Sequence, residues 1–532
     1  MNSQTVLPML QRRKNSRQKV RESHRRIGFA VACICLAGCT VGPNYHVPET
    51  RMPDDFIASS SIQNAAEDFS RIPVIDAAKW WLALNDEKLN SLIERAVQAN
   101  LDIEIALNRL QEARTAEIVI LGLALPEAGF VMGGGWGSGK DLARSRASGP
   151  TYAGDDTTGL KQINYIVGFD AAWEIDLFGK YRRAREAARY DTEAAIAARN
   201  AVLISVIADV ARAYVDLRGL QMQLAVLRKN IGVTQQYLNV VQQRFERGIT
   251  NELDPALARR QLATLQAEEK PLISRIDAAR YVIAVLLGQF PEDLAKELEK
   301  PGMIPQLPEK IQPGLPLELL RRRPDIREAE RIVAGATARI GVATADLFPH
   351  VSLTAGAGYQ GQGLGVNPNI ANFISSFGPS ASWPLLDFGT LDALVEIADL
   401  RSRELLISYK RTVLNAVGEV DSSISTYAGQ QDRLRNLAEA LTASQRAVSL
   451  ATQRYDRGLT DALNVIDAER QEYDLEQQYV LTQTTEAEQF IAIYKALGGG
   501  WEQFQSFPPI RQPHPAVLAA FERLLNSDKS QK

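Results

Sequence analysis

Cysteine, histidine and long apolar runs are scarce in this sequence, and each scarcity excludes a class of protein. Only three of the 532 residues are cysteine, at positions 33, 35 and 39, so no disulfide framework can hold the fold. The four histidines are scattered along the chain and support neither a metal site nor a Ser-His-Asp arrangement. No run of eighteen apolar residues occurs, which argues against a transmembrane helix.

The first 38 residues are typical of a secretory signal rather than of a folded domain. A region with eight basic residues precedes the short apolar run from Ile27 to Leu36. Removal of this leader would leave a formal net charge of −10, which argues against nucleic acid or anionic lipid as a general partner.

The end of the leader, Leu36-Ala37-Gly38-Cys39, resembles the lipobox of bacterial lipoproteins. That resemblance implies cleavage before Cys39 and a covalent lipid on its new N-terminus, and we expect no other cofactor. Thr40 follows where an aspartate would retain a lipoprotein at the inner membrane. The resemblance therefore implies sorting to the outer membrane of a Gram-negative bacterium.

A proline-free stretch from Trp173 to Arg247 organises the chain. After an alternating strand the hydrophobic period changes from two to about 3.5, and apolar residues then recur over about six heptads. The repeating positions are Leu203, Val210, Leu217, Leu224, Ile231, Leu238 and Phe245, with Val206, Ala213, Leu220, Leu227, Thr234 and Val241 three residues later. At about 1.5 Å per residue the pattern predicts a helix roughly 100 Å long. No compact globular domain has room for such a helix, so it must belong to an elongated assembly.

The same stretch occurs twice. Trp383 and Gly458 correspond to Trp173 and Gly248 at an offset of 210 residues, which is a whole number of heptads. Upstream, the segments beginning at residues 101 and 324 correspond at an offset of 223, so the first unit has the longer loop. An internal duplication of this length predicts two copies of one structural unit.

Each unit should contain two strands between long helices. We predict strands at about 127–138, 161–176, 350–361 and 373–387, each long enough for a tilted membrane-spanning strand and rich in aromatic residues. Four strands cannot close a barrel, and an open edge in lipid leaves backbone groups unpaired. Two chains would give a filled eight-stranded barrel and three a twelve-stranded barrel with a lumen, so the trimer is the arrangement with a pore.

The predicted organisation has six segments. Residues 1–38 form the signal, 39–85 an irregular acylated segment, 86–288 the first repeat with its hairpin at 127–176, 289–323 an equatorial connection, 324–497 the second repeat with its hairpin at 350–387, and 498–532 a tail. The first repeat is expected to open with one helix from about Asp86 to Leu125, ended by Pro126.

These features together resemble the outer-membrane factors of tripartite efflux pumps, the TolC-like family, and specifically its lipoprotein branch. The residues that carry the resemblance are Cys39 to Tyr45, the two Trp…Phe-Gly junctions, Arg454 to Thr460 and Asn464 to Ala468. Membership implies an α+β membrane protein whose duplicated helix–strand–strand–helix unit forms, as a homotrimer, a 12-stranded β-barrel on a long 12-helix α-barrel. It also implies a periplasmic adaptor protein and an inner-membrane transporter as partners.

The resemblance also implies a closed periplasmic mouth. Aspartates matching Asp254 and Asp467, and a tyrosine matching Tyr455, belong to the closing network in this family. Thr460 replaces an arginine found in some members, and any of Arg244, Arg247, Arg454 and Arg457 could take its place. The alternative is structural: Asp254 before Pro255 can be an ordinary N-cap, and Asp467 a solvated helix residue.

No catalytic constellation is present, so we expect no enzyme. A glycine-rich run from Gly134 to Lys140 matches a phosphate loop only in part, because Asp141 stands where Ser or Thr should bind magnesium. The leading interpretation is a passive efflux exit channel for small toxic compounds or drugs. A duct for protein secretion and a trimeric surface lipoprotein acting as adhesin or scaffold remain alternatives, although an adhesin would place its barrel once, at one end of the chain.

Overall fold

Most of the chain builds one elongated structure of long helices carrying a small sheet. The computed structural model describes residues 40–58, 76–137, 162–308, 316–364 and 371–504. The signal sequence, Cys39 and the tail beyond residue 504 lie outside the described residues.

Nine α-helices occur in the described ranges, together with a 3-10 helix at Ala77–Leu84. They are α1 Glu87–Ala99, α2 Leu101–Leu123, α3 Lys180–Glu246, α4 Leu253–Leu286, α5 Pro291–Ala295, α6 Pro316–Arg322, α7 Pro324–Ala345, α8 Thr390–Asp456 and α9 Ala462–Ala496. The two long helices α3 and α8 each contain 67 residues. The N-terminal part of α3, called the upper part below, packs on α2 and α7. Its C-terminal, lower part packs on α4 and α9.

Four strands form one antiparallel sheet in chain order. They are β1 Glu127–Gly137, β2 Gln162–Ile175, β3 His350–Leu364 and β4 Ala371–Ser382. Each strand pairs with its neighbour in sequence, so β2 and β3 join the two repeats. Within the described residues, β1 and β4 each pair along one side only.

The predicted duplication of a helix–strand–strand–helix unit is confirmed. Both long helices begin after a glycine with positive φ, Gly179 at 83° and Gly389 at 82°, a backbone conformation that glycine adopts without a Cβ clash. Equivalent hydrogen bonds fix the two hairpins: the indole of Trp173 donates to the carbonyl oxygen of Ala124 and that of Trp383 to the carbonyl oxygen of Leu347, each at 3.1 Å.

The prediction of a single helix from Asp86 to Leu125 was wrong, because the helix is interrupted at Asn100. The backbone of Asn100 is extended, with φ −69° and ψ 131°, and its side-chain oxygen accepts from the amides of Asp102 and Ile103 at 2.9 and 3.2 Å. Its side-chain amide donates to the carbonyl oxygen of Leu286. Asn100 is therefore the N-cap of α2, which satisfies helix-start amides that a continuous helix would not expose.

The centre of the core lies where α3 and α9 meet the 3-10 helix. Trp80 stacks on Tyr494 with ring centroids 5.9 Å apart, and Phe490 lies 4.9 Å from the same tyrosine ring. The predicted heptad seam of α3 points into this core, with Leu203, Val210 and Leu217 fully buried. One 18-residue window of α3 has a mean hydropathy of 1.7, enough to cross a membrane by composition, but 61% of it is buried inside the protein, as in a core helix.

Candidate functional site: the sheet faces and the helix tips

One face of the sheet is apolar and exposed. Paired residues lie on the same face of an antiparallel sheet, and this face carries Phe130 opposite Phe169 and Tyr359 opposite Phe373. The rings of these pairs are 5.3 and 5.5 Å apart. Phe377, on the same face, is 77% exposed. An exposed aromatic face of this size needs a covering, and lipid is the covering expected for strands of 11 to 15 residues.

The opposite face is dominated by small and polar residues. Its described members include Gly129, Asp170, Gly168, Gly356, Gly358, Ser352, Thr354, Ser376, Ser380 and Glu174. Gly168 and Gly358 face each other so closely that a Cβ on Gly168 would lie 2.8 Å from the Cα of Gly358. Alternation of an apolar with a small polar face is the pattern of a transmembrane barrel strand, whose polar side lines the lumen.

A polar network joins the sheet to the helices beneath it. Glu174 accepts a hydrogen bond from the hydroxyl of Tyr181 at 2.9 Å and lies 2.8 Å from Nδ1 of His350. Lys180 forms an ion pair with Asp346 at 2.7 Å. The start of α3 and the end of α7 are thereby attached to the two central strands.

The N-terminal segment, residues 40–58, runs along the upper helices and is held by a buried arginine. The guanidinium of Arg183 donates to the carbonyl oxygens of Val41 and Gly42 at 3.0 and 3.2 Å and to the side-chain oxygen of Asn44 at 2.7 Å. The side chain of Arg183 is only 4% exposed. Nothing in the sequence distinguished this arginine from its neighbours.

At the far end, a small apolar cluster joins the two helix tips. The tip cluster consists of Val241, Tyr455, Ala462 and Val465, with Tyr237 and Ala451 packed against it. Arg244 stacks its guanidinium 4.6 Å from the centre of the Tyr455 ring and pairs with Asp456 at 3.3 Å. The hydroxyl of Tyr237 donates to the carbonyl oxygen of Ala462 at 3.3 Å. The α3–α4 tip and the α8–α9 tip are thus attached within one chain.

Within one chain, the predicted gate residues make separate described contacts. Tyr455 lies in the tip cluster, but Asp254 accepts a hydrogen bond from the hydroxyl of Thr250. Asp467 pairs with Arg470 at 3.1 Å on its own helix. The N-cap alternative for Asp254 was wrong: α4 begins at Leu253, so Asp254 lies within its first turn.

Sequence reasoning missed Glu469, which lies close to the tip cluster. Burial, followed by the carboxylate of Glu472, raises the pKa of Glu469 to about 7. Glu469 in turn contributes to raising the pKa of Tyr237, after burial and Tyr455. Its residue type alone carried no signal, because glutamates are common along the whole of α9.

The tip should loosen as the pH rises through 7. Between about pH 4.5 and 7 the carboxyl of Glu469 is protonated in the folded protein but ionised in the unfolded protein. The free energy of unfolding therefore falls as the pH rises through this range, and above it the whole contribution of Glu469 has been lost. We expect hydrogen exchange at 462–473, corrected for intrinsic rate, to be faster at pH 8 than at pH 6. Glu469→Gln should remove this difference, whereas Glu439→Gln, at an exposed position on α8, should keep it. Equal pH dependence in the wild type and Glu469→Gln would contradict the assignment.

Comparison with known proteins agrees with this geometry. The family described as outer membrane efflux protein matches residues 92–289 and 315–499. Nodulation protein T of Rhizobium leguminosarum bv. viciae is 30% identical over 498 residues, covering 93% of this chain and 97% of its own length. The cation efflux system protein CusC of Escherichia coli O157:H7 is 26% identical over 476 residues, with 89% of this chain and 98% of its own covered.

A solved structure resembles the fold closely. The outer-membrane channel OprN superposes with a TM-score of 0.76 at 34% sequence identity, and the match covers 87% of this chain and 100% of OprN. At this identity and coverage, the chain has the fold of an outer-membrane channel protein.

Proposed function

Because this chain belongs to the outer membrane efflux protein family, we propose that three copies of it form one continuous exit duct across the outer membrane and the periplasm. The chain is an outer-membrane efflux channel. The twelve strands of a trimer close a barrel, and the long helices continue it below the membrane. The family match falls in two parts, 92–289 and 315–499, which supports the division into repeats at 86–288 and 324–497.

The open sheet is the observation that carries this proposal. Within the described residues, the four strands present one apolar exposed face, and the outer edges of β1 and β4 pair with no further strand. Each unpaired backbone group in lipid costs several kcal/mol, so the edges must be closed by strands of other copies. A twelve-stranded barrel lined by glycine, serine and threonine leaves a lumen, whereas an eight-stranded barrel fills its own interior.

Partner proteins supply the energy for transport and select the compounds that the duct conducts. We assign it a periplasmic adaptor and an inner-membrane transporter, and no nucleic acid. The described polar sheet face has small side chains rather than a shaped pocket, which suits passive conduction of small toxic compounds or drugs. Catalysis by the channel itself is not part of this proposal.

A lipid on Cys39 would lie beside the membrane that the barrel spans. Thr40 lies against Gly179, since a Cβ on that glycine would fall 3.0 Å from the Cα of Thr40. Gly179 is at the junction between β2 and α3. Thr40 directly follows Cys39 in sequence, so this contact supports a lipid on Cys39 near the membrane boundary, where an acyl chain adds roughly 0.8 kcal/mol of binding per buried methylene.

The periplasmic mouth closes, in this proposal, where the six helix tips of the trimer converge. The tip cluster around Tyr455 holds the two tips of each chain together. Asp254 and Asp467 then supply three carboxylates each around one axis, an arrangement that favours pairing with arginine or a cation over isolated charges.

Mass spectrometry tests the assembly and the lipid together. Native measurement of the detergent-solubilised protein should give three chains per particle. Denaturing measurement should then give a chain that begins at Cys39 and carries acyl chains, whereas Cys39→Ser should carry none. A stable monomer or dimer would overturn the closed duct, and an unmodified wild-type cysteine would overturn the lipid anchor.

A further inference from the structure

A histidine lies between two carboxylates where the sheet meets the helices. The group of polar side chains at this place, called the junction network below, consists of Glu174, Lys180, Tyr181, Asp346 and His350. Nδ1 of His350 lies 2.8 Å from Oε1 of Glu174, and its Nε2 lies 3.7 Å from Oδ1 of Asp346. The side chain of His350 is 28% exposed, so the imidazole can exchange a proton with water while it touches both acids.

His350 belongs to the polar face of the sheet. Glu174 pairs with Ser352, and His350 is two residues from Ser352 on β3, so all three side chains lie on one face. In the proposed duct this face lines the lumen. Among the described side chains of this face, lysine and arginine do not occur, and the charged or titratable residues are Glu127, Asp170, Glu174 and His350.

A proton on His350 changes the net charge of the junction network. Glu174 and Asp346 supply two negative charges and Lys180 one positive charge, so the network has a net charge of −1 when the imidazole is neutral and zero when it is protonated. Histidine is the side chain that gains or loses its charge between about pH 5 and 8. The bond from Tyr181 to Glu174 and the pair of Lys180 with Asp346 do not involve the imidazole, so both are available in either state.

The other elements packed against His350 add no unpaired charge to its surroundings. Asp176, just after β2, forms an ion pair with Arg182 at 3.3 Å. On the other side of β3, strand β4 places the uncharged Ser382 opposite His350. Protonation of His350 is therefore the change that alters the charge of this part of the lumen wall.

The duplicated unit contains this arrangement once. At an offset of 223 residues His350 corresponds to Glu127, and at an offset of 210 residues Glu174 corresponds to Pro384. The second copy of the junction therefore has neither the histidine nor its glutamate partner. A trimer would contain three junction networks, one from each chain, and Glu127 provides a matched position for comparison.

We propose that His350, by gaining or losing a proton, sets how strongly the duct prefers cations over anions at the point where its helical part enters the barrel. This inference rests on the trimeric duct proposed above and assigns a residue that determines its selectivity. Rings of carboxylates favour cations in a water-filled pore, and positive charge in the ring opposes that preference. Three networks of net charge −1 give a ring of −3, which protonation of the three histidines reduces to zero.

Reversal potentials in a planar bilayer of neutral lipid measure this preference. At about 0.1 M salt the Debye length is about 10 Å, so charges on the lumen wall still act on passing ions. Under a KCl gradient, the potassium-to-chloride permeability ratio should be at least twofold higher at pH 8 than at pH 5.5. His350→Gln should give the higher ratio at both pH values, and His350→Lys the lower ratio at both. All channels should also carry Glu469→Gln, which removes the titration of the tip.

Glu127→Gln is the matched control, because Glu127 lies on the same face at the equivalent position of β1. It removes a carboxylate without changing the histidine, so it should lower the permeability ratio at both pH values and keep the dependence on pH. Full pH dependence in His350→Gln, or a ratio that does not change with pH when His350 is present, would overturn the proposal. If the wild type forms no trimeric channel, the proposed function itself is contradicted.

Thiol labelling tests independently whether residue 350 faces the lumen. Cys39 is the only cysteine of the sequence beyond the leader, so once it is acylated the thiol of His350→Cys can be labelled selectively. A cationic methanethiosulfonate should react at least fivefold faster than an anionic one, because the remaining carboxylates attract cations, and should reduce the potassium current. Phe377→Cys, on the apolar face, should keep its current. A His350→Cys channel whose current neither reagent changes would place the residue outside the lumen and overturn the proposal.

Discussion

Replacing both Arg244 and Tyr455 with alanine is expected to raise the single-channel conductance of the trimer in a planar bilayer several-fold. The stacking of Arg244 on the Tyr455 ring and its ion pair with Asp456 attach the first helix tip to the second. Tyr455 is also 7% exposed, and truncating a buried aromatic side chain costs about 3 kcal/mol. A change of that size shifts a closed–open equilibrium by roughly 100-fold.

Two comparisons make this result specific. Arg435→Ala removes an arginine that forms an ion pair with Asp432 one turn away on α8, at an exposed site, and should leave conductance unchanged. Asp254→Ala with Asp467→Ala tests the carboxylate rings separately from the tip cluster. If the Arg244→Ala/Tyr455→Ala protein assembles correctly and conducts like the wild type, the tip cluster does not hold the mouth closed.

The second large effect is expected at the opposite end, where Arg183→Ala should release the N-terminal segment. The substitution leaves the carbonyl oxygens of Val41 and Gly42 without their charged donor. Hydrogen bonds to charged groups contribute about 1.5–3 kcal/mol each, so a loss of at least about 3 kcal/mol is expected. Trypsin should then cut after the exposed Arg51 about 100-fold faster under conditions in which local opening limits cleavage.

Arg189→Ala is the matched control for this experiment. Arg189 lies on the same helix, but its side chain is 73% exposed and forms its ion pair with Glu193 one turn away. Exposed pairs of this kind contribute at most about 0.5 kcal/mol, so cleavage should change less than about threefold. Cleavage of Arg183→Ala at the wild-type rate would show that other contacts hold the segment.

Elements whose hydrophobic pattern repeats over many residues could be predicted from the sequence. Elements whose boundaries depend on a single side chain could not. The heptads of α3 and the repeat offset predicted both long helices, because periodic burial extends over dozens of residues. The break at Asn100 depends on one side chain bonding to the amides of Asp102 and Ile103 and to Leu286, which is distant in sequence. Local pattern cannot reveal a partner almost two hundred residues away.

The same distinction applies to the tips. Four arginines lie near them, and their spacing gave no reason to prefer one. Arg244 is selected by the tertiary structure, which places its guanidinium 4.6 Å from the centre of the Tyr455 ring. Asp254 shows the smaller kind of error, since a helix start displaced by two residues changed it from a cap into a member of the first turn.

The equal length of the two long helices fixes the distance over which this protein extends from the membrane. Both contain 67 residues, so their lower ends arrive at one level. Deleting seven residues from α3 alone would raise its tip by about 10 Å and separate it from the other. Matched deletions of one heptad from α3, α4, α8 and α9 would keep every seam in phase and shorten the whole duct by the same amount. The length of such a duct can therefore be adjusted to the width of the compartment that it crosses only by adding or removing whole heptads in all four helices together.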